Sequence, residues 1–210
     1  MKRLLFTLLS IFSITSAHAA IINTWDNEND FLTANTGLSM ESFENTSSND
    51  VPLTAGEITV TTDNTTYGSF NGTNSSFGVS DGNQSVRYGA DDGDSIWFTF
   101  ANNINTFGIN IYGFGNIGGS PLLTFFDGLG NSVVALGAGQ TGFEFWGFTS
   151  DTAISSVQFT ATGGESGDGI YFDEAYYGTT SVNAVPVPAA LLLFAPALFA
   201  FFGLRRKIST

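Results

Sequence analysis

The chain has 210 residues, 25 of them glycine, no cysteine, and a formal net charge of −13. Five of the six cations (Lys2, Arg3, Arg205, Arg206 and Lys207) lie at the ends, the one histidine is His18, and all 19 acids fall between Asp26 and Glu174. Residues 20–184 therefore carry a net of −18 with Arg87 as their one cation, which excludes Ser-His-Asp and Cys-His nucleophile systems, Schiff-base lysines, His/Cys zinc sites, P-loops and binding to nucleic acid through a basic face. What remains is carboxylate chemistry, hard-cation binding through oxygen ligands, or no chemistry.

The first 19 residues read as an export signal. Lys2 and Arg3 form a positive start, residues 4–14 a short apolar stretch, and Ala17 and Ala19 supply the small residues that precede cleavage after Ala19. A body spanning 20–184 follows, long enough to bury a core without disulfides. "NENDFLT", residues 27–33, reads as a single helical turn. From there on short alternating runs replace any sustained helical period, so the body is all-β. The runs are 38–44, 57–62, 76–80, 84–88, 95–100, 107–111, 122–126, 132–136, 142–148, 157–161 and 170–172, separated by glycine-rich turns. About ten strands at this spacing predict a jelly-roll-like antiparallel β-sandwich, with Phe as the main core filler.

Residues 185–204 are an uncharged apolar segment, about 30 Å long as a helix and so one bilayer core thick. Pro186 and Pro188 stand at its start, Pro196 would kink it, and Arg205-Arg206-Lys207 should hold its far end in the cytoplasm. A permanent single-pass anchor is one reading. The layout also resembles the PEP-CTERM sorting tail of Gram-negative exported proteins: the box Val185-Pro186-Val187-Pro188-Ala189-Ala190, one apolar helix, then the basic cluster. Val187 stands where that family carries Glu. The resemblance implies recognition by an exosortase-type membrane protease, transient holding in the inner membrane, and release to the cell surface or extracellular exopolysaccharide matrix. Three regions follow: a signal peptide, 1–19; a sandwich, 20–184; and a sorting tail with a transmembrane helix, 185–210.

The body also resembles exported domains with a carbohydrate-binding jelly-roll layout, through Ser42-Phe43-Glu44 in an opening strand, Ile96, Phe98 and Phe100 in a central one, Phe126-Asp127 in a hairpin and Phe172-Asp173-Glu174 in a closing strand. That layout implies a structural calcium tying the first strand to the last, with Glu41 or Glu44 and Asp173 or Glu174 as ligands; otherwise these acids are exposed strand residues. An EF-hand starting at Asp26 fails because Phe31 occupies the position that needs Gly. Trp97 and Tyr112 fall opposite the Ile/Phe stripes and are expected to be a sugar platform, or else edge packing. Trp25, Trp146, Tyr171, Tyr176 and Tyr177 are further aromatics available to such a site. Arg87 either orients an anion or sits at the surface beside the acids of 91–94. The reading is a non-enzymatic exported matrix or surface protein; the alternatives are a calcium-dependent carbohydrate-binding module and a carboxylate-dependent glycosidase.

Overall fold

A computed structural model describes residues 21–44, 46, 52–63, 70–74, 79–113, 119–126, 132–136, 142–164 and 168–181. The signal residues Ala17 and Ala19, the tail residues Val185 to Ala189 and Arg205 to Lys207, and the two terminal helices expected around them lie outside the described residues. The fold belongs to a unit that ends at Thr180. Among the described residues no helix is long and apolar enough to cross a membrane.

The body is antiparallel β with one short helix. In chain order the elements are β1 (Ile21–Trp25), α1 (Glu28–Ala34), β2 (Ser39–Glu41), β3 (Leu53–Ala55), β4 (Ile58–Thr62), β5 (Phe70–Asn74), β6 (Ser85–Ala90), β7 (Ser95–Tyr112), β8 (Gly119–Phe126), β9 (Ser132–Leu136), β10 (Phe143–Gly164) and β11 (Asp168–Gly178). Two runs expected as separate strands, 95–100 and 107–111, are one continuous β7; 142–148 and 157–161 likewise join as β10. The strand expected at 76–80 is not formed at Val79 and Ser80, where the chain turns instead, and a strand occupies Phe70–Asn74. Ser80 cannot join a ladder because its N–H is donated to Asp173, as described below.

The two long strands make the sandwich. The first half of β7 pairs with β4 and with the second half of β10, whose other edge carries β8 and then β9. The second half of β7 pairs with β11 and with the first half of β10, whose other edge carries β1; β11 is flanked in turn by β6 and β2. Between the halves the β7–β10 register slips on either side of Ile154, and Ala101–Asn103 and Asp151–Ala153 are exposed. Such bulges let a strand turn a corner and pass from one layer to the other. The ladder is continuous, yet its halves face each other. Phe98 of one half meets Phe172 of the other at 5.3 Å between ring centres, Phe159 meets Phe172 at 5.4 Å, and Phe125 meets Trp146 at 4.3 Å. These rings are fully or almost fully buried, which makes Phe the core filler, as expected.

Helix α1 covers the back of one half-sheet. Asn27 caps its start by accepting from the Asp30 N–H at 3.1 Å, and Asn35 ends it, its amide donating to the Phe31 carbonyl. The helix has a seat because Gly108 and Gly147 oppose one another across β7 and β10. A Cβ on Gly147 would lie 2.9 Å from the Phe31 ring, and one on Gly108 at the same distance. Two missing side chains thus form the slot that the fully buried Phe31 fills.

Candidate functional site

The core alternation of β7, β10, β11 and β6 decides which side chains leave the sandwich. Ile111, Trp146, Phe172, Val86 and Tyr88 point inward and are buried. Tyr112, Phe143, Tyr171 and Arg87 stand on the other face. The registers align them: Phe143 opposes Tyr112, Tyr112 opposes Tyr171, and Tyr171 opposes Arg87. The result is one row across four adjacent strands. The Phe143 and Tyr112 rings lie 5.1 Å apart at 46°, and Tyr112 and Tyr171 lie 6.0 Å apart at 63°. Phe143 is 41% exposed, a large apolar ring left to solvent at the end of a strand, while both tyrosines and Arg87 are half-buried. The hydrophobic rings offer stacking faces, and the phenols and guanidinium offer hydrogen bonds at the row's far end.

Trp97 does not join this row. It shares β7 with Tyr112 but sits at the opposite end, beyond the corner, where Gln158 and Thr61 are its cross-strand neighbours. Trp146 is core, packed on Phe125. Trp25 and Tyr176 pack around Phe31. Phe143, which completes the row, went unread in the sequence because Phe was assigned to the core. Its parity with Phe145 and Gly147, opposite to Trp146 and Phe148, was the available signal.

Each of the four carboxylates named as alternative calcium ligands accepts hydrogen bonds. Asp173 is fully buried. Its Oδ2 accepts from the N–H of Ser80 at 2.7 Å, the Ser80 hydroxyl at 3.1 Å and the N–H of Asp81 at 3.1 Å, and its Oδ1 accepts from the N–H of Glu174 at 2.9 Å. Glu44 grips the same loop, accepting from the N–H groups of Asn83 and Gln84, both at 2.6 Å. Gly82 lies between these donors at φ +71°, and a Cβ there would run into the Glu44 carboxylate. Glu41 accepts from the N–H of Phe43 within its own corner at 2.8 Å, where Phe43 takes φ +57°. Glu174 turns away toward α1. It is the extra residue of a bulge in β11 at φ +48°, and the bulge puts its side chain on the same face as Asp173 and Tyr176. Glu44 and Asp173 thus hold one loop, while Glu41 bonds within its own corner and the Glu174 side chain bonds Asn110. Among the described residues no group of three or more acids is placed to hold a metal. Backbone N–H groups donate to Asp173, to Glu44 Oε1 and to Glu41 Oε1, oxygens that a calcium ion would otherwise take as ligands.

A second polar knot fastens α1. The Tyr176 hydroxyl donates to Glu28 Oε1 at 2.6 Å and approaches Glu174 Oε1 at 3.4 Å; the Asn110 amide donates to Glu174 Oε2 at 2.8 Å and to Glu28 Oε2 at 3.3 Å. Burial first, then the hydrogen bond to Glu28 and the charge of Glu174, pushes the Tyr176 hydroxyl far above its ordinary value, so it stays a donor. The two carboxylates share their donors, and their chemistry is that of a clasp.

Burial pushes the Asp173 carboxyl above its ordinary value, against the pull of its donors, and pushes Asp94 the same way, with Asp63 and Asp91 adding to it. The folded state therefore holds these protons more tightly than the unfolded chain. Stability is full below the ordinary carboxylate pKa and falls as pH rises through the raised values. Self-repulsion of the acidic body acts in the same direction. The melting temperature followed by circular dichroism is expected to be higher at about pH 4, near the ordinary carboxylate value, than at pH 8; the reverse order would mean that the donors outweigh burial.

No family model matches this sequence, and no curated protein matches it. Among solved structures, the chain is similar to the catalytic domain of a GH87 alpha-1,3-glucanase in complex with nigerose, at 12% identity and a TM-score of 0.40, over 74% of this chain and 30% of that one. A variant of that domain in complex with tetrasaccharides gives 13% identity and the same TM-score. The module TmCBM61 in complex with beta-1,4-galactotriose is similar at 15% identity and a TM-score of 0.27, over 72% of this chain and 95% of that one. The chain thus spans under a third of the glucanase chains. The chemistry of the aromatic row rests on this chain's own side chains.

Proposed function

We propose that this is an exported, non-catalytic β-sandwich protein of the cell surface or exopolysaccharide matrix that holds polysaccharide on the row formed by Phe143, Tyr112 and Tyr171. The observation that carries this reading is the register itself, which brings three aromatic side chains and Arg87 side by side on the outer face. A buried core needs no such row, and one exposed ring beside two half-buried tyrosines gives a ligand both apolar faces and hydroxyls to meet. Replacement of Tyr112 by Ala is expected to weaken binding on a polysaccharide panel by at least about tenfold, the ~1.4 kcal/mol of one stacked ring. Trp97→Ala is expected to leave binding unchanged. Equal affinity for Tyr112→Ala and the parent would refute the row, and hydrolysis of any panel member would refute the non-catalytic reading.

Delivery rests on the ends. The signal at 1–19 directs export, and the PEP-CTERM-like tail holds the chain in the inner membrane until an exosortase-type protease removes it. Fractionation of a variant with Arg205, Arg206 and Lys207 replaced by Ser is expected to show loss of surface delivery. Unchanged sorting would remove the basic cluster from this account.

A further inference from the structure

We infer that the row takes a single neutral glycan chain whose successive sugar rings rotate along the chain, and that it rejects both polyanionic glycans and the flat faces of crystalline polysaccharide. This rests on the polysaccharide reading above and narrows it to a ligand class.

The geometry of the rings is the first reason. Phe143, Tyr112 and Tyr171 stand one per strand on β10, β7 and β11, so a bound chain crosses the strands and meets ring centres spaced 5.1 and 6.0 Å apart. Their planes are not parallel: neighbours are tilted by 46° and 63°. Twist between adjacent strands, roughly 20–25° per strand, is built into any such sheet, and the side chains add to it. A crystalline face presents sugar rings in one plane, and one such plane cannot lie flat on three rings turned this far from one another. A free chain that rotates from sugar to sugar can offer each aromatic ring a face in turn.

Charge is the second reason. The body carries 19 acids against Arg87, which stands at the β6 end of the row next to Tyr171. One guanidinium can bond hydroxyls, but it does not reverse the field of such a body, which repels a polyanion before contact. Screening at physiological salt acts over about 8 Å and leaves a repulsion that a chain of many carboxylates multiplies. Neutral hydroxyls meet no such barrier.

The test uses the purified protein in native gels containing soluble amylose, soluble β-1,3-glucan or polygalacturonate, and in pull-downs on microcrystalline cellulose. Expected is retardation by at least one of the two neutral soluble glucans, reduced at least tenfold in affinity by Tyr112→Ala and by Tyr171→Ala and largely retained in Tyr112→Phe, which keeps the ring. Melting curves check that each variant is folded before its binding is compared. Polygalacturonate and cellulose are expected to leave the protein unbound. Retardation by polygalacturonate, or adsorption to cellulose lost in Tyr112→Ala, overturns this inference and leaves the polysaccharide reading standing. No binding to any of the four, or to a wider glycan panel, overturns both.

Discussion

Replacing Asp173 by Ala is expected to destabilise the domain by about 2–4 kcal/mol, seen as a lower urea midpoint with an unchanged slope. The carboxylate is fully buried and satisfies three backbone N–H groups and one hydroxyl. Removing it orphans all four donors at once. A single buried donor left unmade costs about 1–3 kcal/mol, and the donors of Ser80 and Asp81, which are exposed residues, recover part of that from water. Asn at 173 is expected to fare little better, because its NH2 group would face donors whichever way the amide is turned. A change below about 0.5 kcal/mol would mean that the loop of residues 79–84 is held by Glu44 instead.

The second large effect is expected at the glycine slot. Phe31→Ala should cost about 3–5 kcal/mol, the usual loss for a fully buried Phe. Gly147→Ala should destabilise as well, because its new methyl would meet the Phe31 ring at 2.9–3.0 Å and the Phe145 ring at 3.0 Å. The two effects are not independent. In the double variant the methyl enters space that the lost ring has vacated, so the combined cost is expected to fall short of the sum by 0.5 kcal/mol or more. Strict additivity in that cycle would show that Phe31 and Gly147 do not share the slot.

The helix and the slot differ in how legible they were. Asn27 and the acids of the first turn mark a helix start at residues 27–33, and the helix runs Glu28–Ala34. Nothing local says that Gly108 and Gly147 face each other, since they are 39 residues apart and meet only through the β7–β10 register. Alternation placed most strands, because a period of two follows from one buried face. The same alternation hid the joining of two runs into β7 and of two into β10, since the exposed corners at Ala101–Asn103 and Asp151–Ala153 look like ordinary turns in sequence. Tyr112 and Tyr171 were visible as the residues between inward-facing neighbours. Phe143 was not, because residue type argues for the core and only register argues otherwise. Glu41, Glu44 and Asp173 take backbone N–H groups as partners, which carry no sequence mark, and Glu174 takes the side chains of Asn110 and Tyr176, which only the fold brings to it.

By itself the sequence determined the class of fold, the acidic charge of the body and the range of chemistry open to it. These follow from composition and from short periods, which are properties of the chain before it folds. The tertiary structure alone decided which aromatics share a face, which carboxylates share a loop and where two glycines become a seat for a ring. Each of those depends on strand register, and register is set by the burial of the whole Phe-rich interior, a sum that no local stretch contains.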